Sequence, residues 1–320
     1  MTSASSAKYE LLDFGDGRKL ERFGAVVVDR PCPAAEGAPK ARPELWRDAA
    51  AQFERRTGEG VWIPRREKWM PDDWHVEFDV GAAIQLSLDA LPSGQVGVFP
   101  EQRANWEWIA LQVERAKAVP QNNFSQEEDG VRPVNKAPSP RPSPGGRGSA
   151  RRVLNLFAYT GGSTLAAAAA GAEVVHVDAA RSVVDRARQN AALSGLAEPP
   201  IRWIVEDAMK FCRREVKRGN RYDAVILDPP TYGHGPKGEP WKISEHLLPL
   251  LQLCSELTAE NRAFVLMTCH SPGIGPAELS AYLSEGIFGH CDQPPKSGEL
   301  FLETAGARRL PSGIFARWPA

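Results

Sequence analysis

The stretch Arg152-Val-Leu-Asn-Leu-Phe-Ala-Tyr-Thr-Gly-Gly-Ser-Thr164 constrains this chain most. An apolar run ends in an aromatic turn carrying Gly161 and Gly162, and an alanine-rich helical stretch follows. Glu173-Val-Val-His-Val-Asp178 then reads as a second strand closed by an acid. The pattern repeats downstream. Strands are expected over 153–157, 173–178, 201–206, 222–228 and 263–269, with helices over 163–170, 182–194, 208–218 and 244–258. Strands alternating with helices predict an α/β fold with a Rossmann-like, doubly wound, mostly parallel sheet, because parallel neighbours need a crossover. Residues 300–303 and 314–318 read as an antiparallel pair of edge strands.

The first third has a different texture. Short strands are expected within 8–35, and again at 60–63, 74–79 and 97–99. Six of the nine tryptophans fall between Trp46 and Trp108. They read as the core of a small β-rich unit, or, for one or two of them, as stacking platforms for a base. Trp106, Ile109, Ala110 and Val113 share one face of a helix. The expected organisation is a β-rich unit at 1–104, a connecting helix at 105–119, an insertion at 120–150 and an α/β domain at 151–320. The insertion is rich in Pro, Ser, Gly and Arg, and cannot bury enough apolar surface to offset its ordering entropy. It reads as a disordered linker or, through its basic residues, as an arm that contacts RNA.

A 42% hydrophobic, 25% charged composition is that of a globular protein. No apolar run reaches the roughly 18 residues of a membrane span, and no signal-peptide core is evident at the N-terminus. The five cysteines include no C-x-x-C pair, so no metal site or disulfide framework is expected, and the cytoplasm is the expected compartment. A net charge of −1 leaves nucleic-acid binding to a local basic face. Oligomeric state leaves no trace in the sequence.

In open α/β sheets ligands bind beyond the carboxyl ends of the strands. Four landmarks fall there. The Ala158–Gly162 turn lets backbone approach a ligand. Asp178 can accept from the two hydroxyls of a ribose, and Asp207 from an exocyclic adenine amine. Asp228-Pro229-Pro230 can form a rigid rim beside the reacting atom. The turn lacks the third glycine of a dinucleotide fingerprint. A nucleoside cofactor without a phosphate fits better, and S-adenosylmethionine is the obvious choice.

Asn155-Leu-Phe-Ala-Tyr-Thr-Gly-Gly, Val177-Asp178, Glu206-Asp207, Asp228-Pro-Pro-Thr-Tyr and Thr268-Cys269 resemble the motifs of class I S-adenosylmethionine-dependent methyltransferases. The nearest likeness is to those that modify cytosine C5 of 23S ribosomal RNA, and to relatives that modify guanine. Val98-Phe-Pro-Glu-Gln102-Arg103-Ala-Asn105 is similar to a segment that precedes the cofactor domain in that family. The resemblance implies that Gln102, Arg103, Asn155, Phe157, Tyr159, Thr160, Gly161, Gly162, Asp178, Asp207, Ala208 and Asp228 surround the cofactor. It implies RNA, and ribosomal RNA in particular, as substrate.

Two chemistries follow. In one, a Cys269 thiolate adds to C6 of cytosine, which makes C5 nucleophilic, and Asp228 orients the base while it or water removes the C5 proton. The alternative for Cys269 is a small buried hydrophobe. In the other, Asp228-Pro229-Pro230 holds a flipped guanine with Tyr232 stacked on it, and positioning does most of the work. Lys237 and Trp241, in a glycine-rich loop with His234 and Lys242, would clasp phosphate and base; a plain surface loop is the alternative. Outside RNA, a small molecule or a protein could be the methyl acceptor. A noncatalytic RNA-binding module that keeps the fold is the reading furthest from an enzyme.

Overall fold

The computed structural model describes residues 8–56, 59–118, 150–197, 200–289 and 294–320. The expected insertion at 120–150 lies almost entirely outside the described residues. The chain opens with a five-stranded sheet: β1 (Tyr9–Gly15), β2 (Arg18–Phe23), β3 (Val26–Pro31), β4 (Ala51–Arg56) and β5 (Glu59–Pro64) in sequential order. Its pairings are antiparallel except β3 with β4, which is parallel and reached through a 3₁₀ connection over Pro43–Asp48. A hairpin, β6 (His75–Asp79) with β7 (Ala83–Ser87), and helix α1 (Arg103–Ala118) follow.

Residues 97–99, expected as a strand, are not one. Gly97 sits at φ +94°, its carbonyl accepts from Thr160 Oγ1 at 2.7 Å, and Pro100 opens a 3₁₀ turn to Gln102. The apolar pattern there is real, since Val96 and Val98 are buried, but the left-handed glycine breaks the extended run.

From Arg152 the expected alternation holds: β8 (Arg152–Leu156), α2 (Gly162–Ala169), β9 (Glu173–Asp178), α3 (Arg181–Leu193), β10 (Ile201–Val205), α4 (Ala208–Lys217) and β11 (Ala224–Leu227). A short hairpin, β12 (Tyr232–His234) with β13 (Pro240–Lys242), interrupts it before α5 (Ile243–Thr258), β14 (Phe264–Cys269) and α6 (Pro276–Leu283). The chain closes with β15 (Lys296–Glu303) and β16 (Arg309–Trp318). The strand order β10-β9-β8-β11-β14-β16-β15 makes a seven-stranded sheet whose first five members run parallel, with β16 antiparallel to both its neighbours. The order reverses between β8 and β11, the switch point at which such sheets open a crevice.

The pleat sorts the core. Val153, Val174, Ile226, Phe264 and Leu266 point to one face, where α1, α2 and the β6–β7 hairpin pack. Leu154, Val175, Val225, Val265 and Met267 point to the other, under α4, α5 and α6. The first cluster also takes in Phe23, Val26 and Val28 of the N-terminal sheet, so one continuous apolar core joins it to the central sheet. Trp106 is buried there against Phe78, with ring centroids 5.1 Å apart. Among the described residues no helix is long and apolar enough to cross a membrane, and no cluster of three His, Cys, Asp or Glu side chains is placed to hold a metal.

Candidate functional site

The glycine turn after β8 is built from unusual backbone. Phe157 and Tyr159 sit at φ +55° and +50°, and Gly161 at +94°. Non-glycine residues in this left-handed region carry strain that the surroundings must hold. Here the Tyr159 N–H donates to Asp178 Oδ2 at 2.9 Å, and Asn190 Nδ2 donates to the Thr160 carbonyl at 2.9 Å. Gly162 opens α2 directly against the Trp106 indole; a Cβ there would lie 2.4 Å from a ring carbon. Asn155 lies beneath the turn. Its amide donates to Thr164 Oγ1 at 2.9 Å, and Thr164 bonds to His176 Nδ1 at 2.9 Å, a buried chain. Burial, with Arg188 nearby, pushes the His176 ring down to about 3, so it is neutral.

Beyond the strand ends lies a cavity of about 1010 Å³. Phe157, Tyr159, Asp178, Asp207, Ala208, Asp228, Pro229, Pro230, Trp241 and His270 line it from the central sheet. The N-terminal sheet and the segment before α1 supply the facing wall, with Lys19, Arg30, Arg55, Phe99 and Glu101. A smaller recess of about 50 Å³ shares Phe99, Phe157, Tyr159 and Asp228, and adds Gln102, Asn155, Thr160, Gly161 and Gly162.

Asp178 receives one N–H on each carboxylate oxygen, from Tyr159 and, at 3.0 Å, from Ala180. Burial raises its carboxyl above the ordinary range, and these backbone donors only partly offset it. Asp207 caps α4, with Oδ1 accepting from Lys210 N at 2.9 Å. That bond leaves its second oxygen for the cavity. The β12–β13 hairpin folds beside this acid, so that a Cβ on Gly235 would lie 3.1 Å from Asp207 Cβ. An ion pair between Glu239 and Lys210 fastens the hairpin, and the Lys210 ammonium holds the Glu239 carboxyl down at about 2. Trp241 is buried against Phe157, and its Nε1 donates to the Pro230 carbonyl at 2.7 Å, which ties the hairpin to the Asp-Pro-Pro rim.

Other expected residues lie elsewhere. Tyr232 is 73% exposed and lines neither cavity. Lys237 is on the exposed tip of the hairpin. The Arg103 guanidinium pairs with Glu107 at 2.9 Å on the outside of α1. Cys269 closes β14 with 1% exposure, shares the core with Val265 and Met267, and its Sγ accepts from Ser271 N at 3.3 Å. The next residue, His270, lines the cavity and lies 4.0 Å from Asp228. Parity along the strand settles which of the two faces the crevice. Sequence alone gave no sign of it, because both faces of β14 are apolar. Glu101, Lys19 and Arg30 were also missed, being far from the motifs in sequence and brought in only by the fold.

Residues 145–285 match the family described as S-adenosylmethionine-dependent methyltransferases. The crystal structure of a methyltransferase of that cofactor class from Agrobacterium tumefaciens is 33% identical, with a TM-score of 0.79, over 99% of this chain and 91% of that one. A candidate S-adenosylmethionine-dependent methyltransferase from Streptococcus mutans shares the fold at 16% identity, TM-score 0.65, over 99% and 76%. Ribosomal RNA large subunit methyltransferase I of Aeromonas salmonicida is 45% identical over 85 residues, which are 26% of this chain. The match spans only 22% of that relative's length. With the glycine turn, the three strand-end acids and near full-length likeness to the Agrobacterium structure in agreement, this chain belongs to the S-adenosylmethionine-dependent methyltransferases.

Proposed function

We propose that the chain transfers the methyl group of S-adenosylmethionine to a base of ribosomal RNA. The observation that carries this reading is the convergence of Asp178, Asp207 and Asp228, from three separate strand ends, on one cavity at the switch point. The residues present fit the cofactor. Asp178 keeps lone pairs for two ribose hydroxyls, Asp207 keeps an oxygen for an adenine amine, and Phe157 and Val177 offer apolar surface between them. The left-handed turn, with Gln102 and its unpartnered Nε2 behind it, leaves polar groups for an amino-acid tail.

When bound, the cofactor supplies an electrophilic methyl on a sulfonium. The chain's own residues position the acceptor. Pro229 and Pro230 fix the direction of the rim, and the Asp228 carboxylate takes a hydrogen bond or proton from the base. The hairpin around Trp241 braces the rim from outside through its bond to the Pro230 carbonyl. The ribosomal target is drawn from relatives matched over a quarter of the chain, and a cytoplasmic location goes with it.

For an exocyclic nitrogen acceptor, Asp228 and orientation are sufficient. A second reading is methylation of cytosine C5. There the Cys269 thiolate adds to C6, C5 takes the methyl, a base removes the C5 proton and the thiolate leaves. The Ser271 N–H donates to the Cys269 sulfur at 3.3 Å, and that side chain packs among apolar neighbours, away from the cavity lining. Calorimetry with S-adenosylmethionine and mass spectrometry of ribosomal RNA nucleosides from cells with and without the protein test the proposal. Binding and one missing methylated nucleoside are expected; absence of either rejects it. Asp228→Ala is expected to lower transfer by about 10²–10⁴-fold. If Cys269→Ala transfers normally, the C5 adduct is excluded.

A further inference from the structure

Buried polar side chains almost always have partners, so a cluster without them points to something that completes it. Among the described residues, three buried side-chain atoms lacking any partner fall within five positions: Glu101 Oε2, Gln102 Nε2 and Asn105 Oδ1. The latter two side chains bond to each other at 2.8 Å. Exchanging the ends of both amides would merely exchange which of their atoms is left over. Glu101 has no such freedom. The residue is 9% exposed and lines the large cavity, Oε2 itself is enclosed, and the 3₁₀ turn Pro100–Gln102 fixes its backbone. Asp228, Pro230 and His270 line the same cavity from the strand-end side. Phe99 bridges the two walls, with its ring 5.4 Å from Tyr159 and 6.0 Å from His270.

We infer that Glu101 reads the target base, its side chain turning so that the carboxylate accepts a hydrogen bond from an exocyclic amine. The inference rests on the proposed base methylation and adds what distinguishes one base from another. The ionised carboxylate is an acceptor, so it selects an edge that bears an amine over one that lacks it: cytosine over uracil, which has a carbonyl in that place, or guanine over hypoxanthine, which has only a C–H there. A carbonyl there would set two acceptors against each other in a buried site. Burial, with Glu21 nearby, raises the Glu101 carboxyl overall; the Lys19 ammonium, and His270 when charged, oppose this and favour its ionised form. Lys19 is itself held by Glu21 at 3.1 Å, so it supports Glu101 without neutralising it through a direct bond. The role is one of recognition, and it holds whichever atom of the base is methylated.

The test is binding of the four 5′-monophosphates of cytidine, uridine, guanosine and inosine to the full chain, with and without S-adenosylhomocysteine, for wild type, Glu101→Gln and Glu101→Leu. Wild type is expected to favour the amino-bearing member of one pair by about tenfold, the lower end for a bond to a charged group. E101Q can donate as well as accept, and is expected to bring that ratio near one; E101L is expected to weaken both members. S-adenosylhomocysteine affinity is expected to stay within twofold in both variants. A preference unchanged in E101Q, or no measurable binding of any nucleotide by wild type, overturns the inference. So does a loss of S-adenosylhomocysteine affinity in both variants, which would assign Glu101 to the cofactor. Failure of wild type to bind the cofactor at all would instead sink the proposed function, and the nucleotide series run without cofactor would still read Glu101.

Discussion

The central sheet and the N-terminal sheet each bury a polar network, and the two are built in opposite ways. Under the glycine turn, Asn155, Thr164 and His176 form a neutral chain whose members lie within 12 residues of the next. In the N-terminal sheet, Glu21 is fully buried between Arg30 and Lys19 and accepts from the Tyr9 hydroxyl at 3.0 Å. Asp13 there takes the Trp46 indole N–H at 2.9 Å and Arg308, 295 residues away, at 2.6 Å. The neutral chain carries no charge to match and leaves one buried atom, His176 Nε2, without a partner. An ionic one depends on each charge staying matched. The first network holds a ligand turn in shape, and the second clamps distant parts of the chain together.

Removing one member of the ionic cluster should give the largest effect. Glu21→Ala leaves Arg30 buried without its partner and is expected to cost about 3–5 kcal/mol in urea unfolding; a loss under 1 kcal/mol would mean that the sheet relaxes to admit water. Acid should then separate the two networks. His176 has a folded value of about 3 against an ordinary 6.5, so the stability it confers is complete above pH 6.5 and is lost as the pH falls toward 3. The slope is at most about 1.4 kcal/mol per pH unit, and His176→Leu should flatten it. Burial pushes Glu21 up, but Arg30 and Lys19 more than reverse this, so its carboxyl is lowered. Its contribution is therefore intact above about pH 4.5 and lost only below. A stability curve for H176L that still falls between pH 6.5 and 5 would assign the early phase elsewhere.

Gly162→Ala comes next. The added Cβ meets the Trp106 ring at 2.4 Å, and overpacking of this kind costs about 1–3 kcal/mol. Because the turn must shift, cofactor affinity should fall along with melting temperature; a drop in only one would uncouple the turn from the core. The smallest effect is expected at Arg103→Ala. Its exposed pair with Glu107, one helical turn away, is worth about 0.3–0.5 kcal/mol. Cofactor affinity should stay within twofold, and a larger loss would mean that this side chain swings inward on binding.

The same contrast governs what could be read in advance. Apart from the β12–β13 hairpin, which reads as a loop in the sequence, the strands and helices from Arg152 to Cys269 lie within a residue or two of expectation, because period and turn chemistry are local. Asp178, Asp207 and Asp228 followed from them, each standing where a strand stops. Strand β4 was missed: its Ala-Gln-Phe-Glu-Arg-Arg is half charged, and its parallel partner β3 lies some 20 residues upstream. Tyr232 and Trp241 occupy the two strands of one small hairpin, yet one is exposed and the other buried against Phe157, a choice made by packing. The assignment of Cys269 rested on position along the chain. Which face a side chain takes turns on a single step of register, and a strand apolar on both sides leaves that step unmarked.

The reach of Arg308 to Asp13 bears on the order in which the protein can be finished. Leu11 and Phe14 of β1 share a small apolar cluster with Leu302 and Leu310, and Leu11 bridges to Thr304. A ribosome releases β1 long before β15 and β16 exist. For that interval the outer side of the first sheet is bare: an open edge, an acid without its arginine and two uncovered apolar side chains. The β15–β16 hairpin is thus the piece that covers β1, so a late-made part of the chain completes an early one.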